Sequence, residues 1–216
     1  MNSFMFKLRA VLGRRLGSSL VQLLLALKTE WRFAELYGDF HFGRSFNRYA
    51  IKGLAQESGK IYGAIVKFLK EIPEPLTNML LPGENNAVKP VYASLLKVDN
   101  SRILTAGVLS DMDVQWNFEQ EPPTIGPFDC IVSQSMLEHL IDPYKHVRDC
   151  VALLRPGGYL ILHTMMPGFN YHRYPVDCFR FYPDWFEEIA QRLELQISDK
   201  YIHNSRITYK FRKSGK

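Results

Sequence analysis

The segment from Pro167 to Tyr182 holds the densest group of side chains that can do chemistry. His172, Asp177 and Arg180 lie within it, and a histidine or a carboxylate beside a substrate hydroxyl can act as a general base. Asp177 and Arg180 also stand three residues apart, a spacing at which the two side chains can pair and fix the loop. The segment therefore predicts a catalytic cluster of these three residues, with a structural pair as the alternative.

A second polar group consists of Glu138, His139 and His146, with the two histidines seven residues apart on a stretch of helical pattern. Histidines and carboxylates are ligands of zinc, so this spacing raises the question of a metal site. Glu138, His139 and Asp142 better suit the start of a helix, which they would cap and cover. We therefore predict no metal site here. His163 lies in an apolar strand pattern and is predicted to be a core or rim residue.

The three cysteines, Cys130, Cys150 and Cys178, include no CxxC pair and no cluster with histidine at zinc-ligand spacing. This pattern indicates neither a disulfide framework nor a structural zinc, so a reducing cytoplasm is expected. A chain with 46% hydrophobic and 23% charged residues also has ordinary globular content. That composition excludes a disordered chain, a collagen-like repeat and a coiled coil.

The elements that must position these residues are short strands alternating with helices. Apolar runs between turn residues predict strands at Leu76–Leu81, Arg102–Ala106, Val114–Phe118, Phe128–Ser133, Tyr159–Thr164, Leu195–His203 and Ile207–Phe211. Helical spacing predicts helices at Lys89–Leu96, Pro143–Leu154 and Pro183–Leu193. This order predicts an α/β fold with a mostly parallel sheet of six to seven strands and flanking helices.

One connection is unusually short. The second and third predicted strands are separated by only the seven residues 107–113, whereas a parallel crossover between neighbours needs roughly a dozen. Either this unit is trimmed or the two strands are not parallel neighbours. Elsewhere the loops after the strands are the expected ligand sites, because open α/β sheets bind ligands at the carboxyl ends of their strands.

Four runs follow one another in the second half of the chain. They are Phe128-Asp129-Cys130-Ile131-Val132, then Leu137-Glu138-His139-Leu140 with Asp142-Pro143, then Leu153-Leu154-Arg155-Pro156-Gly157-Gly158-Tyr159-Leu160, and finally His172-x-x-Pro175-x-Asp177-x-x-Arg180-Phe181. The first three resemble the second half of a class I S-adenosylmethionine-dependent methyltransferase of the type-11 group. The fourth is similar to a segment of methyltransferases often found with bacterial polysaccharide genes.

The resemblance implies a Rossmann-like fold, S-adenosylmethionine as cofactor, and methyl transfer to a hydroxyl or amine of a small-molecule or glycan-type substrate. It also implies cofactor contacts in the loops after the first, third and fourth strands. The residues at these places are Gly83, Glu84, Asn117, Phe118, Ser133 and Gln134.

The first half of the chain departs from the family's pattern at two points. The usual glycine-rich loop contains a single glycine, Gly83, and Thr105-Ala106-Gly107 stands where the family tends to place an acid for the ribose hydroxyls. These departures favour a second hypothesis. In it, the protein is a catalytically degenerate, methyltransferase-like binding or scaffold module.

The net charge of +5 is distributed unevenly along the chain. The parts before Glu30 and after Asp199 contain basic residues and no acids, so the segment between them is acidic overall. A nucleic-acid groove through that acidic segment is not expected, and we predict no nucleic-acid partner. The basic ends are instead the places where an acidic surface would be bound.

A helical N-terminal extension over residues 1–72 is predicted to precede the α/β domain of residues 73–216. Within the extension, Leu16–Trp31 has the pattern of an amphipathic helix and is too short and polar to span a bilayer, which takes about 20 apolar residues. Its apolar face can pack on the α/β domain, form a homodimer with a second copy, or lie on an anionic membrane surface. A mitochondrial presequence is a further interpretation. We expect a cytoplasmic protein, with membrane association through this helix as the alternative.

Overall fold

The computed structural model describes residues 61–215, except 170, 174, 175 and 204, together with Leu24, Leu27 and Trp31. The chain forms two compact units, Met1–Asn47 and Arg48–Lys216, of which the second holds the sheet. Leu24, Leu27 and Trp31 are helical and exposed. The rest of the predicted amphipathic helix lies outside the described residues, so its packing, dimer, membrane and presequence interpretations stay predictions. In the described part of the chain, no helix combines the length and the apolar character needed to cross a bilayer.

A seven-stranded sheet forms the centre of the described α/β unit. Its strands are β1 (Met79–Pro82), β2 (Ile103–Gly107), β3 (Val114–Gln115), β4 (Phe128–Gln134), β5 (Leu154–Met165), β6 (Leu195–His203) and β7 (Arg206–Lys213). Their spatial order is β3-β2-β1-β4-β5-β7-β6, with β1 to β5 parallel and β7 antiparallel to both of its neighbours. The predicted fold class is confirmed.

Helices cover both faces of this sheet. They are α1 (Gly63–Lys70), α2 (Lys89–Leu96), α3 (Pro143–Leu153) and α4 (Pro183–Arg192). One face packs in a cluster with α1 and α2 that includes Phe68, Tyr92 and Val132. On the other face, His146 of α3 contacts Ser133 of β4, and α4 packs on β6 and β7. Helix α1, which the sequence assigns to the N-terminal extension, thus lies in the compact unit that holds the sheet.

An irregularity near the start of β5 depends on two glycines. Gly157 has φ 74°, a conformation that favours glycine because it has no Cβ. At Gly158, a Cβ would lie 3.0–3.2 Å from the carbonyl oxygens of Arg155, Phe128 and Asp129, so a side chain would crowd three backbone groups at once. The Pro156-Gly157-Gly158 run therefore lets β5 shift its register and continue close beside β4.

The connection between β2 and β3 is a trimmed parallel crossover. The two residues of β3 pair with the last two of β2, Ala106 opposite Val114 and Gly107 opposite Gln115. Because β3 begins beside the last two residues of β2, the connecting loop does not have to run back along the length of the sheet. No helix is therefore required in this crossover. This settles the two alternatives that the sequence left open.

Asp129 ties the start of the sheet together at the edge opposite the candidate site. Its carboxylate accepts hydrogen bonds from the backbone N–H groups of Thr77 and Asn78, at 2.7 and 2.9 Å, and from Nε of Arg155 at 2.5 Å. Partial burial would raise the pKa of Asp129, but these donors, led by Arg155, outweigh it and hold the pKa below its ordinary value.

Candidate active site

Three of the predicted cofactor residues meet where β1 and β4 end. Gly83 has φ 81°, and a Cβ there would lie 2.1 Å from Sδ of Met136. The backbone at this point therefore carries no side chain of its own, and Met136 packs directly on it. Gln134 donates from Nε2 to Oε1 of Glu84 at 2.9 Å and accepts from the backbone N–H of Tyr62 at 3.2 Å. Gly83, Glu84 and Gln134 therefore form one polar edge around a half-buried glycine on which Met136 packs.

The other three predicted cofactor residues lie elsewhere. Asn117 is exposed after β3, and its Oδ1 accepts from the backbone N–H of Glu119 at 3.1 Å. Phe118 is buried with its ring 4.8 Å from that of His146. Ser133 is fully buried, and its hydroxyl lies 3.0 Å from Nε2 of His146. The side chains of Phe118 and Ser133 are thus used in packing against α3, and a cofactor contact from them stays a prediction.

The carboxylate of Asp113, near the end of β2, is already engaged in hydrogen bonds. A Cβ at Gly107 would lie 2.5 Å from Sδ of Met112, so this methionine fills the position of the usual acid. Asp113 turns back toward the protein, accepting from the backbone N–H of Thr105 at 2.9 Å and from Nζ of Lys89 at 2.8 Å. The site therefore fits the methionine part of S-adenosylmethionine, through bare backbone at Gly83 with a carboxylate and an amide beside it, better than it fits the ribose.

His172, Asp177 and Arg180 form the polar cluster that their spacing predicts. Arg180 donates two hydrogen bonds to the Asp177 carboxylate, at 2.5 and 2.6 Å, and the backbone N–H of His172 donates to it at 2.7 Å. Hydrogen bonding to Arg180 holds the pKa of Asp177 well below its usual range. Such a carboxylate is a weak base, so Asp177 and Arg180 serve as positioning residues and His172 is left as the group able to contact a substrate.

Glu138 occupies a position in the candidate site that the sequence does not predict. Its side chain is fully buried, and Oε2 accepts from the Thr164 hydroxyl at 2.6 Å. Its backbone carbonyl accepts from the N–H of Cys178 at 2.7 Å and so anchors the loop after β5. Its other oxygen, Oε1, has no hydrogen-bond partner and lies 3.9 Å from Nε2 of His139 and 3.8 Å from Nε2 of His172. Three potential ligand atoms therefore face one another.

This arrangement corrects the capping interpretation of Glu138 and His139. Helix α3 is capped by Asp142, which accepts from the backbone N–H of Lys145 at 2.9 Å, whereas Glu138 and His139 point toward the loop after β5. The third residue of the sequence grouping, His146, is fully buried beside Ser133, and burial lowers its pKa to about 4. A buried acid immediately after a central strand, followed by histidine, is the signal that could have identified Glu138.

His163 supports the edge from within the sheet. Its ring stacks on that of Tyr62 at 3.9 Å, and its Nδ1 lies 3.3 Å from the hydroxyl of Ser135. Burial lowers its pKa to about 3, so the ring stays neutral across the physiological range. His163 is a buried residue of the rim, as its place in an apolar strand predicts.

The chain matches the methyltransferase domain family over residues 84–202, which is more than half of its length. A ubiquinone biosynthesis O-methyltransferase from Xanthomonas axonopodis pv. citri (strain 306) is 39% identical over 71 residues, covering 33% of this chain and 30% of that protein. The similarity thus spans less than a third of this relative's length.

Two solved structures show the same fold. The N-methyltransferase NodS from Bradyrhizobium japonicum WM9, in complex with S-adenosyl-L-homocysteine, has a TM-score of 0.50 at 15% identity, covering 69% of this chain and 84% of its own. A SAM-dependent methyltransferase from Aquifex aeolicus has a TM-score of 0.50 at 13% identity, with 69% and 87% covered. At these identities the likeness concerns the fold alone.

The sheet order and the polar edge at its carboxyl ends define a class I methyltransferase fold. The chain belongs to the methyltransferase domain family. S-adenosylmethionine is the cofactor that this family and the resemblance in the sequence imply, and solved structures of the same fold include a SAM-dependent methyltransferase. The resemblance seen in the sequence is confirmed.

Proposed function

We propose that the protein methylates a hydroxyl oxygen of a small-molecule or glycan-type acceptor, which it receives at the cluster of Glu138, His139 and His172. The observation that supports this most is the buried, unpartnered Oε1 of Glu138, directed at two imidazole nitrogens. These groups lie at the carboxyl ends of β4 and β5, at the same sheet edge as Gly83 and Gln134.

A hydroxyl acceptor is favoured over an amine by two considerations. The aligned relatives are O-methyltransferases, although the similarity covers only 30% of their length. A hydroxyl must also lose its proton when its oxygen gains the methyl group, and the cluster consists of proton and cation acceptors. When bound, the cofactor supplies a methyl group on a sulfonium, which is already reactive, so orientation of the acceptor accounts for much of the acceleration.

Each described side chain then has a definable task. Glu84 and Gln134 offer hydrogen-bond acceptors to the ammonium group of the cofactor's methionine part, beside the bare backbone of Gly83. Asp177 and Arg180 hold the backbone of His172 in place, and His172 contacts the acceptor. The apolar rings and Met136 around this edge exclude water from the reacting atoms.

The direct test is formation of S-adenosylhomocysteine by the full-length protein, measured with a panel of phenolic, catecholic and sugar hydroxyl acceptors and matched amines. We expect turnover with at least one hydroxyl acceptor and a loss of about 100-fold or more in His172→Asn, within the range of general acid–base contributions. His203→Gln, at a histidine on β6 outside the candidate site, is the matched control. Turnover with amines alone, or full activity in His172→Asn, contradicts the proposal.

A further inference from the structure

The cluster of Glu138, His139 and His172 presents three hydrogen-bond acceptors to one point. The geometry points to a divalent metal site there, formed by Oε1 of Glu138 and Nε2 of the two histidines, with zinc as the ion that the donor set suits best. All three atoms lie within 4.8 Å of one another. The inference deepens the proposed function, since the metal would lie where the acceptor oxygen is received.

The orientation of the histidine rings is the first argument. Nδ1 of His139 contacts the backbone carbonyl of Val176, which can only accept, so that nitrogen carries the proton. In the neutral ring, Nε2 is then a bare lone pair directed toward Glu138. His172 is oriented in the same sense, with its Nδ1 3.6 Å from the Asp177 carboxylate and its Nε2 toward Glu138.

The state of Glu138 is the second argument. Its Oε1 is fully buried without a donor, and the histidine nitrogens at 3.8 and 3.9 Å are beyond hydrogen-bond distance. A buried carboxylate oxygen without a partner costs free energy, and neither imidazole supplies the missing proton at these distances. A cation bound between the three atoms satisfies all of them at once.

The groups behind the cluster are the third argument. Metal-binding histidines usually donate their other ring nitrogen to a carbonyl or a carboxylate, and metal-binding carboxylates are themselves hydrogen-bonded. Here Val176 supports His139, and the Thr164 hydroxyl holds Oε2 of Glu138 at 2.6 Å. Nδ1 of His172 lies 3.6 Å from the Asp177 carboxylate, beyond hydrogen-bond distance, so two of the three proposed ligands have the outer hydrogen bond that orients a metal ligand.

Two histidines and one glutamate are the ligands of a catalytic zinc that keeps a position open for water or substrate. Ligand atoms at zinc distances of about 2.1 Å lie about 3.4 Å apart in a tetrahedron. The 3.8 and 3.9 Å distances from Oε1 of Glu138 must therefore shorten by about half an ångström, and the distance between the two histidine nitrogens, which is within 4.8 Å, by up to about 1.4 Å. An acceptor hydroxyl in the open position would become more acidic and lose its proton to solvent as its oxygen takes the methyl group. His172 would then act as a ligand rather than as a base.

The test uses the purified full-length protein after treatment with a chelator and its removal. Calorimetric titration with zinc chloride is expected to show one ion bound per chain, and cobalt chloride is expected to produce the visible absorption of a four- or five-coordinate site. His172→Asn and Glu138→Gln are each expected to weaken binding at least tenfold, as loss of even an outer-shell partner does. His203→Gln and Glu188→Gln, at positions outside the cluster, are the matched controls and should bind as the parent does.

Circular dichroism of each variant establishes whether it folds. The side chain of His172 is 35% exposed, so His172→Asn is decisive if Glu138→Gln does not fold. No saturable zinc binding, or undiminished binding in His172→Asn, overturns the inference. Zinc binding without methyl transfer contradicts the proposed function alone, and full transfer by metal-free protein that binds no zinc contradicts the inference alone.

Discussion

At the scale of single residues, the candidate active site depends most on Glu138. Its backbone carbonyl holds the loop after β5, one carboxylate oxygen is fixed by Thr164, and the other is directed at His139 and His172. A carboxylate buried in this way is costly for stability, because one of its oxygens has no donor. Its presence is therefore better explained by binding than by folding.

The pair formed by Asp177 and Arg180 leads to the first residue-scale prediction. Arg180→Lys keeps the charge but cannot donate two parallel hydrogen bonds to Asp177, so the backbone of His172 is held less firmly. We expect methyl transfer to fall about tenfold with the fold unchanged, because small misplacements at a reacting centre are costly. Initial rates at saturating cofactor measure this effect. Arg192→Lys, in the exposed pair with Glu188, is the control, and an equal loss there contradicts the argument.

How well single residues could be predicted from sequence depends on what makes them functional. His172, Asp177 and Arg180 lie in one loop, so their meeting follows from short spacing. Glu138 and His172 are far apart in sequence and meet only because β4 and β5 are parallel neighbours. Burial decides the role of Ser133, and the alternation of side chains on β4 had to be known before its hydroxyl could be placed next to His146.

At the scale of elements, Asp129 connects the start of β4 with the segment before β1 and with Arg155 on β5. Because its pKa is lower in the folded chain than its ordinary value of 3.8, its contribution is complete above 3.8 and is lost as the pH falls through the depressed pKa. Asp129→Asn is expected to reduce the free energy of unfolding by about 1–3 kcal/mol at neutral pH.

Urea unfolding over a pH series measures this effect. The difference in the free energy of unfolding between Asp129→Asn and the parent should narrow as the pH falls below 3.8, because the carboxylate of the parent then becomes protonated and loses its charge. Glu121→Gln, at an exposed carboxylate, should show no such narrowing. A difference that stays constant down to acid pH would mean that the ionised form of Asp129 does not contribute.

Most elements follow from the apolar pattern of the sequence, because the central strands β1, β2 and β4 are short, mostly buried runs and the helices have apolar faces. The helix predicted at Lys89–Leu96 has those bounds in the structure, and α3 and α4 each end one residue earlier than predicted. The link between β2 and β3 could not be settled in the same way. Its geometry depends on the level at which β3 begins beside β2, which no local pattern specifies.

At the scale of the whole molecule, helix α1 determines where the chain can be shortened. Ile65, Phe68 and Leu69 are buried in the cluster that α1 shares with α2 and the sheet, and each contributes about 1.5–3 kcal/mol of burial. A chain that begins at Arg48 is expected to unfold cooperatively, whereas one that begins at Pro73 is not expected to fold. Thermal unfolding followed by circular dichroism distinguishes the two. A cooperative transition in the shorter chain would contradict the role given to α1.

The fold identifies the family, but a fold of this kind hosts many acceptors, so the substrate must be argued from the site. In the function proposed above, the polar edge at Gly83, Glu84 and Gln134 binds the cofactor, and the cluster at Glu138 receives the acceptor. The alternative of a degenerate binding module rests on Gly107 and the engaged Asp113. The two accounts differ directly in whether the cofactor binds.

Calorimetric titration of the full-length protein with S-adenosylhomocysteine tests this difference. The account predicts saturable binding of one molecule per chain and a loss of at least tenfold in Gly83→Ala, because the added Cβ displaces Met136 from the bare backbone. Gly157→Ala shares the positive φ but lies near the start of β5, away from the carboxyl ends of the strands, so it should bind as the parent does. Absence of binding at millimolar ligand, or equal binding by Gly83→Ala, would contradict the account.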